Sequence, residues 1–125
     1  MARKNVVSAF SMITDGDLSA DITSLPTDVK NLDKASIRLA WDVAGSPVGV
    51  VTIEALQEKD NTAESEDEAN WFTLEFGSII NIDNTETDHQ ILFNELPFDK
   101  IRLKYTATSG SGTLNAKITA KQVGG

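Results

Sequence analysis

Carboxylates are the most abundant ionisable groups in this sequence, with 19 Asp and Glu against 11 Lys and Arg, one histidine (His89) and no cysteine. Glu58, Asp60, Glu64, Glu66, Asp67 and Glu68 fall within 58–70 with Lys59 as the one cation. Six minus one gives that stretch −5 of the chain's net −8. Oxygen ligands in such number suit a hard cation such as Ca²⁺. Glu64 to Glu68 nevertheless lacks the interspersed Gly and the alternating spacing of a calcium loop, and a charge run is adequately explained as a solvated segment. A second group, Asp83, Asn84, Glu86 and Asp88, alternates better, since 84, 86 and 88 could converge on an ion. A polar turn between strands accounts for it equally well.

Other catalytic constellations are weaker. Asp42 with Glu54, or Glu75 with Glu95, could serve acid–base cleavage of a glycosidic bond, but these residues fall at outward strand positions, and a domain of this size offers little room for a deep cleft. His89 sits beside Asp88 in an expected loop and reads as solvated. Ser109 and Ser111 adjoin glycines without forming a Gly-x-Ser-x-Gly turn. The absence of cysteine excludes disulfides, thiolate metal sites and cysteine nucleophiles. No nucleophile, cofactor or metal site is nominated, and no enzymatic activity is expected. The negative charge argues against nucleic acid or an anionic membrane as partner, because phosphate binding needs clustered Lys and Arg. No apolar run approaches the ~20 residues of a membrane span. The start of the chain carries only a short apolar patch interrupted by Ser8 and Ser11, shorter than the roughly 7–15-residue core of a secretory signal, so synthesis in a cytoplasm is expected.

The elements that must carry these residues are strands. Ile101, Leu103 and Tyr105 alternate with Arg102, Lys104 and Thr106. After Ser109-Gly110-Ser111-Gly112, Leu114, Ala116, Ile118 and Ala120 alternate with Asn115, Lys117, Thr119 and Lys121. A period of two puts one set on a buried face and the other in water, and the glycines suit a tight connection, so this stretch reads as a β-hairpin. Ile37, Leu39 and Trp41 followed by Gly45-Ser46-Pro47 and then Val51, Ile53 and Ala55 read as a second hairpin, with Trp41 a large core anchor. Val6 to Ile13 reads as an N-terminal arm or first strand, Thr14 to Asp17 as a turn, and Leu18 to Ile22 as a short strand. Phe72, Leu74 and Phe76 share a face, Ile79 to Ile82 makes another short strand, and Gln90 to Leu96 the next. The chain of 125 residues fits a single domain. Its class is all-β: an antiparallel, jelly-roll-like β-sandwich of about eight strands over 14–125, with an acidic loop at 58–70 and an arm or first strand at 1–13.

Candidate interaction residues follow from this layout. Val6, Val7, Phe10 and Met12 are apolar in a weakly defined strand, as in a docking arm. Trp71 lies out of phase with Phe72 and Leu74 and is expected to be an exposed aromatic contact. Arg102, Lys104, Lys117, Thr119 and Lys121 form the wet face of the terminal hairpin, where they could orient docking on an acidic partner, or else protect an edge strand.

The strand ending in Trp41-Asp42, the segment Gly49-Val50-Val51-Thr52-Ile53-Glu54-Ala55, the Trp71-led strand, and the closing Pro97 to Thr106 with Ser109 to Leu114 and Lys121 together resemble small β-sandwich structural proteins of tailed bacteriophages. The resemblance spans roughly Ser36 to Lys121 and does not include the acidic stretch. It implies a non-enzymatic head decoration or cement protein at the capsid surface of the virion. By this analogy such a protein binds the major capsid protein and neighbouring copies of itself, for example as a trimer about a local symmetry axis. The competing expectation is a carbohydrate- or receptor-binding sandwich of a phage tail or fibre that uses Trp71.

Overall fold

The structure, a computed structural model, describes residues 5–29, 32–56, 71–74, 80–96 and 98–123, with side chains from residue 9 to residue 121 within these ranges. The acidic stretch 58–70 and the Glu75 of one carboxylate pair lie outside them. Among the described residues there are ten strands: β1 (Asn5–Asp17), β2 (Ile22–Thr23), β3 (Thr27–Asp28), β4 (Lys34–Trp41), β5 (Val48–Leu56), β6 (Trp71–Thr73), β7 (Ile80–Ile82), β8 (Asp88–Phe93), β9 (Lys100–Ser109) and β10 (Thr113–Val123). They form two antiparallel sheets. The first runs β1-β10-β4-β8 and the second β2-β9-β5-β6, with β3 also on β9 and β7 also on β5.

With β2 and β3 sharing one position and β6 and β7 another, the described residues give eight strand positions. The first pairs with the eighth, the second with the seventh, the third with the sixth and the fourth with the fifth, alternately in one sheet and the other. That nesting is the topology of a jelly roll, in keeping with the expected jelly-roll-like β-sandwich. The core lies between the sheets. Ile37, Leu39 and Trp41 of β4 with Leu114, Ala116, Ile118 and Ala120 of β10 face Val51, Ile53 and Ala55 of β5 with Ile101, Leu103 and Tyr105 of β9, all buried.

Both expected hairpins are overturned. β9 and β10 belong to different sheets, as do β4 and β5, so the glycine-bearing connections are arches that carry the chain across the sandwich. Alternation assigned the inward residues of these four strands correctly, because an arch and a hairpin present the same period of two; Phe72, grouped with Leu74 on one face, is instead exposed. The two arches lie against each other: Ser111 N–H donates to the Gly45 carbonyl at 3.0 Å and Asp42 N–H to that of Thr113 at 3.1 Å. Gly110 adopts φ +77°, and a Cβ there would meet the Ser46 carbonyl oxygen.

The N-terminal segment also differs from expectation. Thr14 to Asp17 does not turn. β1 continues through it, paired to β10 with register shifts between Ser11 and Ile13 and between Ile13 and Gly16, and the turn falls at Leu18 to Ala20. The bulge lets the adjacent Met12 and Ile13 both face the core. Of Leu18 to Ile22, accordingly, only Ile22 lies in a strand, as the first residue of β2.

Candidate functional site

On the second sheet's outer face, register sets Arg102 of β9 opposite Glu54 of β5. Arg102 Nε donates to Glu54 Oε1 at 2.7 Å, with only 8% and 13% of the two side chains exposed. The Trp71 ring, brought in where β6 pairs with Leu56, lies 4.1 Å from the Arg102 guanidinium carbon. Stacking of this kind favours the cation through the ring quadrupole. Trp71 is therefore half-buried, with one face of its indole occupied, and Arg102 is enclosed rather than presented. Beside it, Phe72 on the edge strand sets its ring edge against Phe98 at 6.0 Å. Lys104 is half-buried on the same outer face, between Thr23 and Thr52.

Lys117, Thr119 and Lys121 lie on the opposite side of the molecule. The expected basic face of one hairpin is thus split between two sheets, because β9 and β10 are not neighbours. On the first sheet, Lys117 stands opposite Arg38, Thr119 opposite Ser36 and Lys121 opposite Lys34. Gln90 and Leu92 of β8 extend these rows on one side, and Ser11 and Ala9 of β1 on the other. An open trough of about 580 Å³ runs over this face, lined among others by Ser11, Thr14, Ser36, Arg38, Gln90 and Lys117. Arg38 donates to Asp88 at 3.1 Å and Gln90 Nε2 to Ser36 at 2.8 Å, both exposed. Leu92 is 69% exposed at the margin. Lys34 and Arg38 were not picked out from the sequence as site residues. Only the β4–β10 register shows that they stand opposite Lys121 and Lys117.

Of the N-terminal candidates, Phe10 is half-exposed while Met12 is buried. Val6 and Val7 lie in β1, their backbone paired with Gln122 and Lys121. The carboxylates of the 83–88 turn have separate partners. Asp83 accepts from the amide and hydroxyl of Thr85, which hold its carboxyl below the ordinary carboxylate range. Asp88 pairs with Arg38, and Glu86 with His89 at 3.6 Å. Asp42 caps its own arch by accepting from the Ala44 amide, on the other sheet's chain path from Glu54. Among the described residues no group of three or more His, Asp or Glu side chains is gathered as a metal site.

No protein-family model matches the sequence, nor does any curated protein. Among solved structures the fold is similar to the SPBc2 prophage-derived protein YomS, with a TM-score of 0.55 and 12% identity over 95% of this chain and 97% of that one. It is also similar to a chain in the structure of infectious bursal disease virus, Gx strain, with a TM-score of 0.55 and 16% identity over 98% of this chain and 33% of the viral one. The Gt strain gives a TM-score of 0.54 at the same identity and coverage. This chain thus spans a third of the viral chains and nearly the whole of YomS. At such identities the likeness is one of fold.

Proposed function

We propose that this chain is a non-enzymatic virion structural protein of a tailed bacteriophage, a decoration or cement protein that binds the outer surface of the head through the major capsid protein and neighbouring copies. The observation that carries the reading is the full-length likeness in fold to a prophage-derived protein. The shared jelly roll of a virus chain supports it, as does the phage-protein resemblance of the sequence. The mechanism is added contact area. A protein that binds the assembled shell but not its dissociated subunits stabilises the shell by mass action, about 2.7 kcal/mol per site at a hundredfold excess over Kd. The two broad outer faces suit such a role, each a surface of strands rather than the wall of a cleft. Trp71, covered on one face by Arg102, offers a poor stacking platform for a sugar.

Sedimentation of the purified protein with capsids that lack it tests the reading. The expected result is saturable attachment at a fixed ratio to capsid subunits. Recovery of all the protein in the supernatant at every concentration would overturn it.

A further inference from the structure

Directly opposed like charges destabilise a pair of strands, yet the outer face of the first sheet holds two such pairs, Lys117 with Arg38 and Lys121 with Lys34. Two ordinary explanations fail. Lysines protect the edges of sheets, but β10 and β4 are the two interior strands of this one. Solubility is already served by a net charge of −8, and added cations bring that charge nearer zero. Of the four cations, only Arg38 has an ion pair among the described residues, with the exposed Asp88. Among the described residues the two rows thus hold four cations and no carboxylate, on an acidic molecule. Between the two cationic rows lies the neutral pair Ser36 and Thr119, shared by the trough over Lys117 and Arg38, whose lining also includes Ile13 and Ala40, and a smaller depression over Lys121 and Lys34.

We infer that this face docks an extended acidic segment of a partner protein, with the segment's carboxylates on the rows Lys117/Arg38 and Lys121/Lys34 and its main chain over Ser36, Thr119 and Gln90. The spacing favours a polypeptide. The rows are four residues apart along β10, about 13 Å, which an extended chain covers with carboxylates four residues apart. A nucleic acid strand presents a phosphate every ~3.4 Å, about four over the same distance, and would meet no cation between the rows. The outward hydroxyl and amide groups of Thr119, Ser36 and Gln90, the last two bonded to each other at 2.8 Å, suit main-chain recognition, and charge complementarity sets orientation and encounter rate. Identifying the partner as the capsid rests on the decoration reading; the chemistry of the face does not.

The probe is a labelled synthetic peptide with Glu at every second position and Thr between, compared with its Gln counterpart, heparin and duplex DNA. Wild type should bind the Glu peptide, less tightly as salt rises, and should not bind the Gln peptide. Lys117→Glu with Lys121→Glu should weaken Glu-peptide binding about tenfold or more while leaving the melting temperature unchanged or higher, because each new carboxylate would face a cation. A purely structural role would not separate the two readouts in this way. Lys117→Gln with Lys121→Gln gives the same test should the double reversal fold poorly. Lys104→Glu, on the opposite face, should leave binding unchanged. Undiminished binding by both double variants, equal loss in Lys104→Glu, or tighter binding of heparin or DNA than of the Glu peptide would each overturn the inference. Capsid attachment is scored separately. If the double variants attach like wild type, this face is not the docking face and the decoration reading stands. If wild type does not attach, the decoration reading falls and the peptide still decides the face.

Discussion

Glu54 and Arg102 meet at 2.7 Å with little of either side chain in water, so each satisfies a charge that would otherwise be costly to enclose. Glu54→Ala should therefore lower the free energy of unfolding by about 1.5–3 kcal/mol, the range for charged hydrogen bonds, read from urea denaturation. Trp71→Ala should cost less, on the order of 0.5–2 kcal/mol for the lost cation–π contact. Tyr105 is the other informative side chain. Its buried hydroxyl donates to the Leu18 carbonyl at 2.9 Å. Burial first, and the negative charge of Asp21 second, raise its pKa above the ordinary 10.0. The fold favours the neutral phenol, so this contribution is full below pH 10.0 and is lost as pH rises through the folded-state pKa. Melting temperature against pH should show an alkaline decline in wild type that Tyr105→Phe lacks, although the variant should be about 1 kcal/mol less stable at neutral pH.

Where elements connect, the same logic applies to the turns and arches. Ser19 holds the Asp17 carboxyl, and Thr85 that of Asp83, below the ordinary 3.8 through side-chain and backbone hydrogen bonds. Depressed values of this kind contribute stability above pH 3.8 that disappears as pH falls through the folded-state pKa. Asp17→Asn with Asp83→Asn should flatten the acid limb of the stability profile. Gly110 sits at φ +77° against the Ser46 carbonyl, so Gly110→Ala should cost about 1–3 kcal/mol, seen as a lower denaturation midpoint. These arches also mark the limit of what the sequence discloses. Alternation identified the inward residues of β4, β5, β9 and β10, since facing is a local property of a pleated strand. Whether Ser109 to Gly112 folds a strand back beside its predecessor or carries it to the opposite sheet depends on distant partners, here β1 and β4 for β10. The bulges in β1 were hidden for the same reason. Asp15-Gly16 has the composition of a turn, but Asp15 N–H bonds to Asn115 Oδ1, one hundred residues away. Lys117 and Lys121 stood out as basic outward residues, while their opposition to Arg38 and Lys34 exists only through the β4–β10 register.

At the scale of the whole molecule, the jelly roll turns two sets of strands into two outward surfaces of different character. One encloses its arginine beneath Trp71. The other exposes a basic trough on an otherwise acidic chain. On the proposed function such a molecule acts through these surfaces, and its partner is an assembled phage head. The most direct measurement is the temperature at which heads lacking this protein rupture and release their DNA, recorded with and without saturating amounts of the purified chain. The account predicts a rise in rupture temperature that follows the occupancy of the shell. An unchanged rupture temperature on fully occupied shells would contradict it.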